Sequence, residues 1–418
     1  MKKRKASKGK YSFLKEVLDE VTPDNSVYKN VNEMLSKINA KIKKFRLKAV
    51  AVAGGSIAKG NFIKGDHDID LFVKFNKKYP SEKLSEHLAK LLSGMNAERI
   101  HGSRDYFRIR NEHNFEIVPV IDIKKGDESK NVTDMSPLHV KWVKSKTSKN
   151  PRLNDEIRLT KQFCKAQHVY GAESYIRGFS GHVIDIVVIY YGSFLKLVQN
   201  AANWKEKQVI DYHNFHKGKA LFNLNVSKIG PLNVIDPVMP IRNASAALSL
   251  EKFRGFVDAC RNFVKKPSRD FFVRHEISMQ MISAKHKGKK VVQFNVELAE
   301  GKEDVVGAKM VRALDYFSQQ AEKNDFKVVD KVWSWDRKRH ATFYFVLADD
   351  VLPSKKLVYG PPLDAKEHVA RFKKAHRKWL MKGKKLMAED KRKYVKFTDF
   401  ILGFAKNGFF SDKIKSIA

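Results

Sequence analysis

Only two cysteines occur in the chain, Cys164 and Cys260, far apart and without the spacing of a zinc ligand set or a disulfide framework. Two buried, unreactive thiols are expected. Equally absent is an apolar run of the roughly 18 residues that a membrane span requires, and the N-terminal MKKRKASKGK has no apolar segment of the kind a secretory signal carries. The expectation is a cytoplasmic protein with no membrane partner. No internal repeat or low-complexity segment is present, which argues against a solenoid. Acidic residues are scarce: 46 Asp and Glu stand against 82 Lys and Arg, a formal charge of +36. A surplus of that size attracts polyanions, nucleic acid first. At 418 residues, about two to four domains are expected.

Against that basic background, GGSIAKGNFIKGDHDIDLF (54–72) sets Asp66, Asp68 and Asp70 at alternate positions. Like charges so crowded are costly unless cations hold them. A strand turns alternate side chains to one face, so Asp68 and Asp70 stand together, about 7 Å apart at Cα, while Ile69, Leu71 and Val73 anchor the opposite face. Two such carboxylates make a cage for a hard divalent ion. Asp66, beside His67 and a glycine turn, reads instead as a turn residue or a supporting group.

Upstream, KAVAVA (48–53) reads as a buried strand that breaks at Gly54-Gly55, with a short helix opening near Ser56. The free N–H groups there, the Ser56 hydroxyl and Lys59 one turn on could receive a phosphate. Taken alone, a Gly-Gly-Ser turn is more often only a turn. SEKLSEHLAKLLSGM places Leu84, Leu88, Leu91 and Leu92 on one helical face, and DYFRIR (105–110) with FEIVPVIDI (115–123) flank the polar turn NEHN as a hairpin. From about Asn154 the pattern turns helical: DEIRLTKQFCKAQHVYG and GHVIDIVVIYYGSFLKLVQNAANW read as long apolar-periodic helices joined by a glycine-punctuated loop. After Lys266 strands return at 289–298, followed by a helix with Val306, Met310, Leu314 and Phe317 on one stripe and a hairpin from KVVDKVWSW and ATFYFVLA. A basic tract from Asp364 to about Lys393 reads as helical, carrying Arg371, Lys373, Lys374, Arg377, Lys378, Lys384 and Lys385 among Val369, Phe372, Trp379 and Leu380. It is either a solvated helix face or an RNA contact.

The glycine-serine turn, short helix and acid–apolar–acid strand together resemble the signature of the DNA polymerase β-like nucleotidyltransferases. That resemblance implies a third acid on a neighbouring strand, for which Glu116 is preferred over Asp122. SPLHVKW (136–142), the stretch around RLTKQFCKAQHVYGAESYIRGFSGHVIDIVVIYYGSFL and DPVMPIRNASAALS (236–249) narrow it to the archaeal-type, class I CCA-adding enzymes. The similarity is continuous from about residue 50 to 262 and weaker beyond.

The resemblance implies an α+β multidomain fold: a nucleotidyltransferase head with a mixed sheet (1–148), a helical neck (149–266), and an α+β, ferredoxin- or RRM-like body with a basic helical tail (267–418). It implies template-independent addition of C, C and A to the tRNA 3′ end from CTP and ATP, with two Mg2+ ions and binding of the tRNA acceptor arm. A homodimer is left open. Carried over by position, the metal ligands are Asp68, Asp70 and Glu116. Gly55, Ser56, Lys59, His139, Lys161, Tyr170 and Arg242 are nucleotide contacts, with Arg242 near the base edge. The chain departs from the family's common glutamate-then-aspartate pair with a third aspartate by carrying Asp68, Asp70 and Glu116. Two rival readings remain: a poly(A)- or oligoadenylate-forming enzyme on another RNA, and a non-catalytic basic RNA-binding protein.

Overall fold

Alternation of apolar residues in DIDLFVKF and NFEIVPVI builds the two strands at the centre of the N-terminal half. The computed structural model describes residues 9–65, 68–376, 378–383, 385–406, 410 and 413–418. Two units are present, one ending at His275 and the other beginning at Glu276. The first opens with α1 (Phe13–Val21) and α2 (Ser26–Lys44), then β1 (Ala49–Ala53), α3 (Gly55–Lys59), β2 (Asp68–Phe75), α4 (Leu84–Leu91), β3 (Glu98–Ile100), β4 (Tyr106–Arg110) and β5 (Asn114–Ile121). The sheet order is β1-β2-β5-β4-β3. It is mixed: β2 runs parallel to β5, and the other neighbours are antiparallel. Val31, Met34, Ile38 and Ile42 of α2 and Leu84, Leu88 and Leu91 of α4 share a core with Ile69, Leu71, Val73 and Ile117. Each such side chain contributes about 1.5–3 kcal/mol when fully buried. Covering one face of β2 with apolar helices commits Asp68 and Asp70 to the other face.

After β5 the chain is held by Asp134, fully buried, which accepts N–H bonds from Ile121 at 2.9 Å and Asn131 at 3.0 Å and pairs with buried Arg104. Deleting one partner strands the other's charge. Asp134→Ala is therefore expected to destabilise this unit by about 3–5 kcal/mol, measured as a shift of its denaturant unfolding transition.

The first unit continues with α5 (Ser136–Thr147), α6 (Arg152–Ala166), α7 (Gly181–Tyr191), α8 (Phe194–Ala201), β6 (Gln208–Ile210), α9 (Ala220–Asn223), β7 (Leu232–Asp236), β8 (Met239–Asn243) and α10 (Leu250–Lys265). Phe163, Phe194, Phe256 and Phe263 meet in its core, where Cys164 and Cys260 are free and buried as expected. Burial pushes both thiols up. Two features differ from the expectation. The apolar stretch after Ser180 is two helices bent by 95°, because Gly192 adopts φ +82° and Ser193 caps α8. A small sheet, β6-β7-β8, lies within the helical region. Among the described residues no single helix is long and apolar enough to cross a membrane.

The second unit contains α11 (Met279–Lys285), β9 (Lys290–Leu298), α12 (Glu303–Lys323), β10 (Val328–Trp335), β11 (His340–Leu347), β12 (Lys355–Pro362), α13 (Lys366–Ala375), β13 (Trp379–Lys382), β14 (Lys385–Lys391), α14 (Phe397–Ala405) and β15 (Ile414–Ile417). Its larger sheet has the order β10-β11-β9-β15, with the expected stripe of α12 buried against it. The basic helical tail needs correction. Helix α13 ends at Ala375, and Trp379 and Leu380 lie on a strand that turns at Gly383, φ +61°, into β14. Lys373 sits over the Trp379 ring at 4.3 Å. Arg377 and Lys384 lie outside the described residues.

Candidate active site

The turn after β1 is shaped around the first carboxylates. Gly54 N–H donates to the Asp70 carbonyl at 2.8 Å, and a Cβ on Gly54 would lie 2.5 Å from the Phe72 ring. Gly55 has φ +49°, and a Cβ there would lie 1.7 Å from Asp70 Oδ2. Only glycine allows that approach at that backbone angle. Ser56 follows in α3, half-buried, its carbonyl accepting from Asn61 N–H at 3.2 Å.

Parallel pairing of β2 with β5 sets Asp70 opposite Glu116 and Asp68 opposite Asn114. Adjacent strands lie about 4.8 Å apart, so the three acids occupy one patch of the sheet. Asp68 is exposed and its Oδ1 accepts from Asn114 Nδ2 at 3.3 Å. Glu116 Oε1 accepts from Arg108 Nη2 at 2.6 Å. Burial, then the neighbouring charge of Glu116, pushes the Asp70 carboxyl up from 3.8 to about 6, against the opposing influence of Lys59 and Lys161. Asp122, the rival acid, lies beyond the end of β5 and pairs with Lys74 at 2.7 Å. Asp66 lies outside the described residues.

A folded-state value above the unfolded one means that the metal-free fold binds the extra proton. Stability present at low pH is then lost as pH rises through that window. Relative to Asp70→Asn, which never ionises, chelator-treated parent protein is expected to lose stability between pH 3.8 and about 6, read from paired thermal unfolding curves. A flat difference would contradict the assignment of burial and Glu116 as the cause.

The remaining sequence-predicted residues fall into two neighbouring groups. Lys59 Nζ donates to Asp185 Oδ2 of α7 at 2.7 Å, Asn61 Nδ2 donates to Asp185 Oδ1 at 3.0 Å, and Lys161 Nζ donates to Asn61 Oδ1 at 2.9 Å. Asp185, Asn61 and Lys161 are buried. The Tyr170 hydroxyl reaches the start of α7, 3.2 Å from the position a Cβ would take on Gly181, and Lys161 Cε lies 3.9 Å from the same point. In the other group, His139 Nε2 is 3.0 Å from Asp236 Oδ2, and Arg242 Nη1 donates to the same oxygen. His182 lies against His139 with ring centroids 3.9 Å apart.

The sequence reading missed Arg108, Asn61, Asp185, His182 and Asp236. An acid within an apolar helix, as Asp185 is in GHVIDIVVIYY, was the one available signal, since a charge fully buried there must be paired. Oxygen donors on two strands beside a glycine turn, with two lysines near, can hold a divalent cation and a triphosphate.

Three family models cover successive parts of the chain: nucleotidyltransferase domain, residues 35–157; tRNA nucleotidyltransferase, second domain, residues 155–273; and CCA-adding enzyme, C-terminal domain, residues 287–408. The CCA-adding enzyme of Thermococcus gammatolerans is 30% identical over 395 residues, covering 90% of this chain and 85% of that protein. That of Methanocaldococcus jannaschii is 29% identical over 410 residues, covering 93% and 89%. Among solved structures, a cytoplasmic RNA terminal U-transferase matches with a TM-score of 0.51 at 14% identity, over 65% of this chain and 100% of the other. The Cid1 poly(U) polymerase matches with 0.51 at 14% identity, over 63% and 98%. At that identity the structural likeness speaks for the fold, a nucleotidyltransferase head on an α+β chain. With its three segments matched in order and its relatives aligned over most of their length, the chain belongs to the CCA-adding enzymes, which are tRNA nucleotidyltransferases.

Proposed function

We propose that this chain completes the tRNA 3′ end with C, C and A from CTP and ATP at the Asp68, Asp70 and Glu116 patch. The observation that carries the reading is the register pair Asp70–Glu116 pressed against Gly55. The donor set fits magnesium: all oxygen, crowded, and with one carboxyl whose ionisation is resisted until a cation offsets it. Two bound Mg2+ ions would supply activation of the 3′-hydroxyl and neutralisation of the departing charge.

The chain's own part is positioning and charge. Asp68 and Asp70 would hold the ions from β2, and Glu116 from β5, where it also accepts from Arg108. Gly55 and Ser56 bring backbone close to the triphosphate, and Lys59, Lys161 and Tyr170 neutralise and orient it. His139 and Arg242 receive the sugar and base end. The tRNA O3′ attacks the α-phosphorus, the bond from that phosphorus to the β-bridging oxygen breaks, and pyrophosphate leaves. In this reading residues 1–148 act as head, 149–266 as neck, and 267–418 as body and tail, with the acceptor arm held by the basic surface.

The test is end sequencing of tRNA transcripts ending before C, after C and after CC, incubated with all four nucleotides and magnesium. Each should finish at CCA and gain nothing more. Homopolymer tails of A, or no extension, would overturn the reading.

A further inference from the structure

We propose that His139, His182 and Asp236 form a site for one transition-metal ion of the zinc class, separate from the carboxylates of β2 and β5. The residues come from α5, the first turn of α7 and the end of β7, and their ligand atoms lie within 4.8 Å of one another. His139 Nε2 stands 3.0 and 3.2 Å from the two Asp236 oxygens. Ligand atoms around a tetrahedral zinc, bound at about 2.0–2.1 Å, are separated by roughly 3.3 Å. The pair therefore already has nearly the spacing that an ion would impose.

His182 supplies the independent observation. Its ring lies against His139 with an interplanar angle of 30°, yet neither ring nitrogen, both buried, has a hydrogen-bond partner. Buried polar atoms in folded proteins are satisfied by protein, water or ligand. Its Nδ1 is 4.0 Å from Asp185 Oδ2, longer than a hydrogen bond, with a carboxylate thus available to orient the ring through its outer nitrogen. That leaves Nε2 for the ion.

Asp236 is paired with Arg242 and Asp185 with Lys59, so the ion takes Asp236 in competition with the Arg242 guanidinium. Binding requires His139 to offer the Nε2 lone pair, with its ring proton on Nδ1. Two imidazoles with one carboxylate suit zinc, cobalt or nickel, whereas the oxygen-only patch suits magnesium.

One consequence rests on the reading under Proposed function. If His139 and Arg242 hold the nucleotide, an ion on His139 and Asp236 excludes it, and zinc becomes a competitive inhibitor of the loaded enzyme.

The experiment titrates metal-free, full-length protein with Zn2+, and with Co2+ to read its visible bands. The expected result is one ion per chain with a four-coordinate, nitrogen-containing cobalt spectrum, retained in Asp70→Asn. His182→Ala and His182→Gln, with circular dichroism confirming the fold, should each bind at least about tenfold more weakly. Parent-like zinc affinity in both variants, or binding that vanishes in Asp70→Asn, would overturn the site. A second arm measures KM for CTP with magnesium in excess. Zinc that loads the site should raise it at least about tenfold in the parent and less than about twofold in His182→Gln. Zinc binding with an unchanged KM would leave the metal site standing and overturn the nucleotide reading of His139.

Discussion

Asp70→Asn is expected to cut nucleotide incorporation by about a hundred- to a thousandfold, the range reached when a charge-stabilising group is removed from a reacting centre, with tRNA affinity within about twofold of the parent. The side chain keeps its shape and loses its charge. Asp70 sits between Gly55 and Glu116, so no other acid can take over its position. A basic molecule of formal charge +36 binds tRNA through its cations, and removing one local negative charge leaves that attraction intact or slightly stronger. Single-turnover extension and filter binding on the same preparation separate the two effects. Parallel loss of binding and incorporation would mean that Asp70 supports the fold instead of the chemistry.

Gly55→Ala is expected to lower kcat by about a hundredfold or more, because displacement of a reacting group by about 1 Å can cost that much. The added methyl would lie 1.7 Å from Asp70 Oδ2, at a backbone angle of +49°. Either the carboxylate or the turn must move, and each is part of the site. Gly94 provides the control. It also has positive φ, +77°, but nothing lies within 4 Å of the position its Cβ would take. Gly94→Ala should therefore show only backbone strain, about 1–2 kcal/mol of stability, with kcat unchanged. Equal catalytic losses in the two variants would show that strain alone, without contact at Asp70, explains the effect.

Much of the head was legible because its signals are local. Strand parity put Asp68 and Asp70 on one face, whereas the third acid, Glu116 in FEIVPVIDI, came with the resemblance to the nucleotidyltransferases. In the β2–β5 register Asp70 lies opposite Glu116, while Asp122 lies beyond β5 and pairs with Lys74. What no local pattern carries is the partner of a buried charge. Lys59 and Asp185 are joined across 126 residues, and only the tertiary fold brings them together. His182 was equally silent, one histidine in an apolar helix.

Errors of element type had physical causes. The tract around Trp379 has basic residues at helical spacing, but Gly383 at φ +61° allows a turn. WLMK and KLMAEDK then pair antiparallel as β13 and β14, with Trp379 opposite Ala388 and Lys382 opposite Lys385. Gly192 at φ +82° ended α7 where apolar periodicity alone would have continued it.

The central claim is that the three acids of β2 and β5 hold the ions that drive nucleotidyl transfer. It is tested most directly by anomalous diffraction from crystals of the enzyme with Mn2+, tRNA lacking its last residue and a non-hydrolysable ATP analogue. Manganese peaks bounded by Asp68, Asp70 and Glu116, beside the α-phosphorus, are the expected result. Peaks lying elsewhere, with those carboxylates turned away from the nucleotide, would contradict the account.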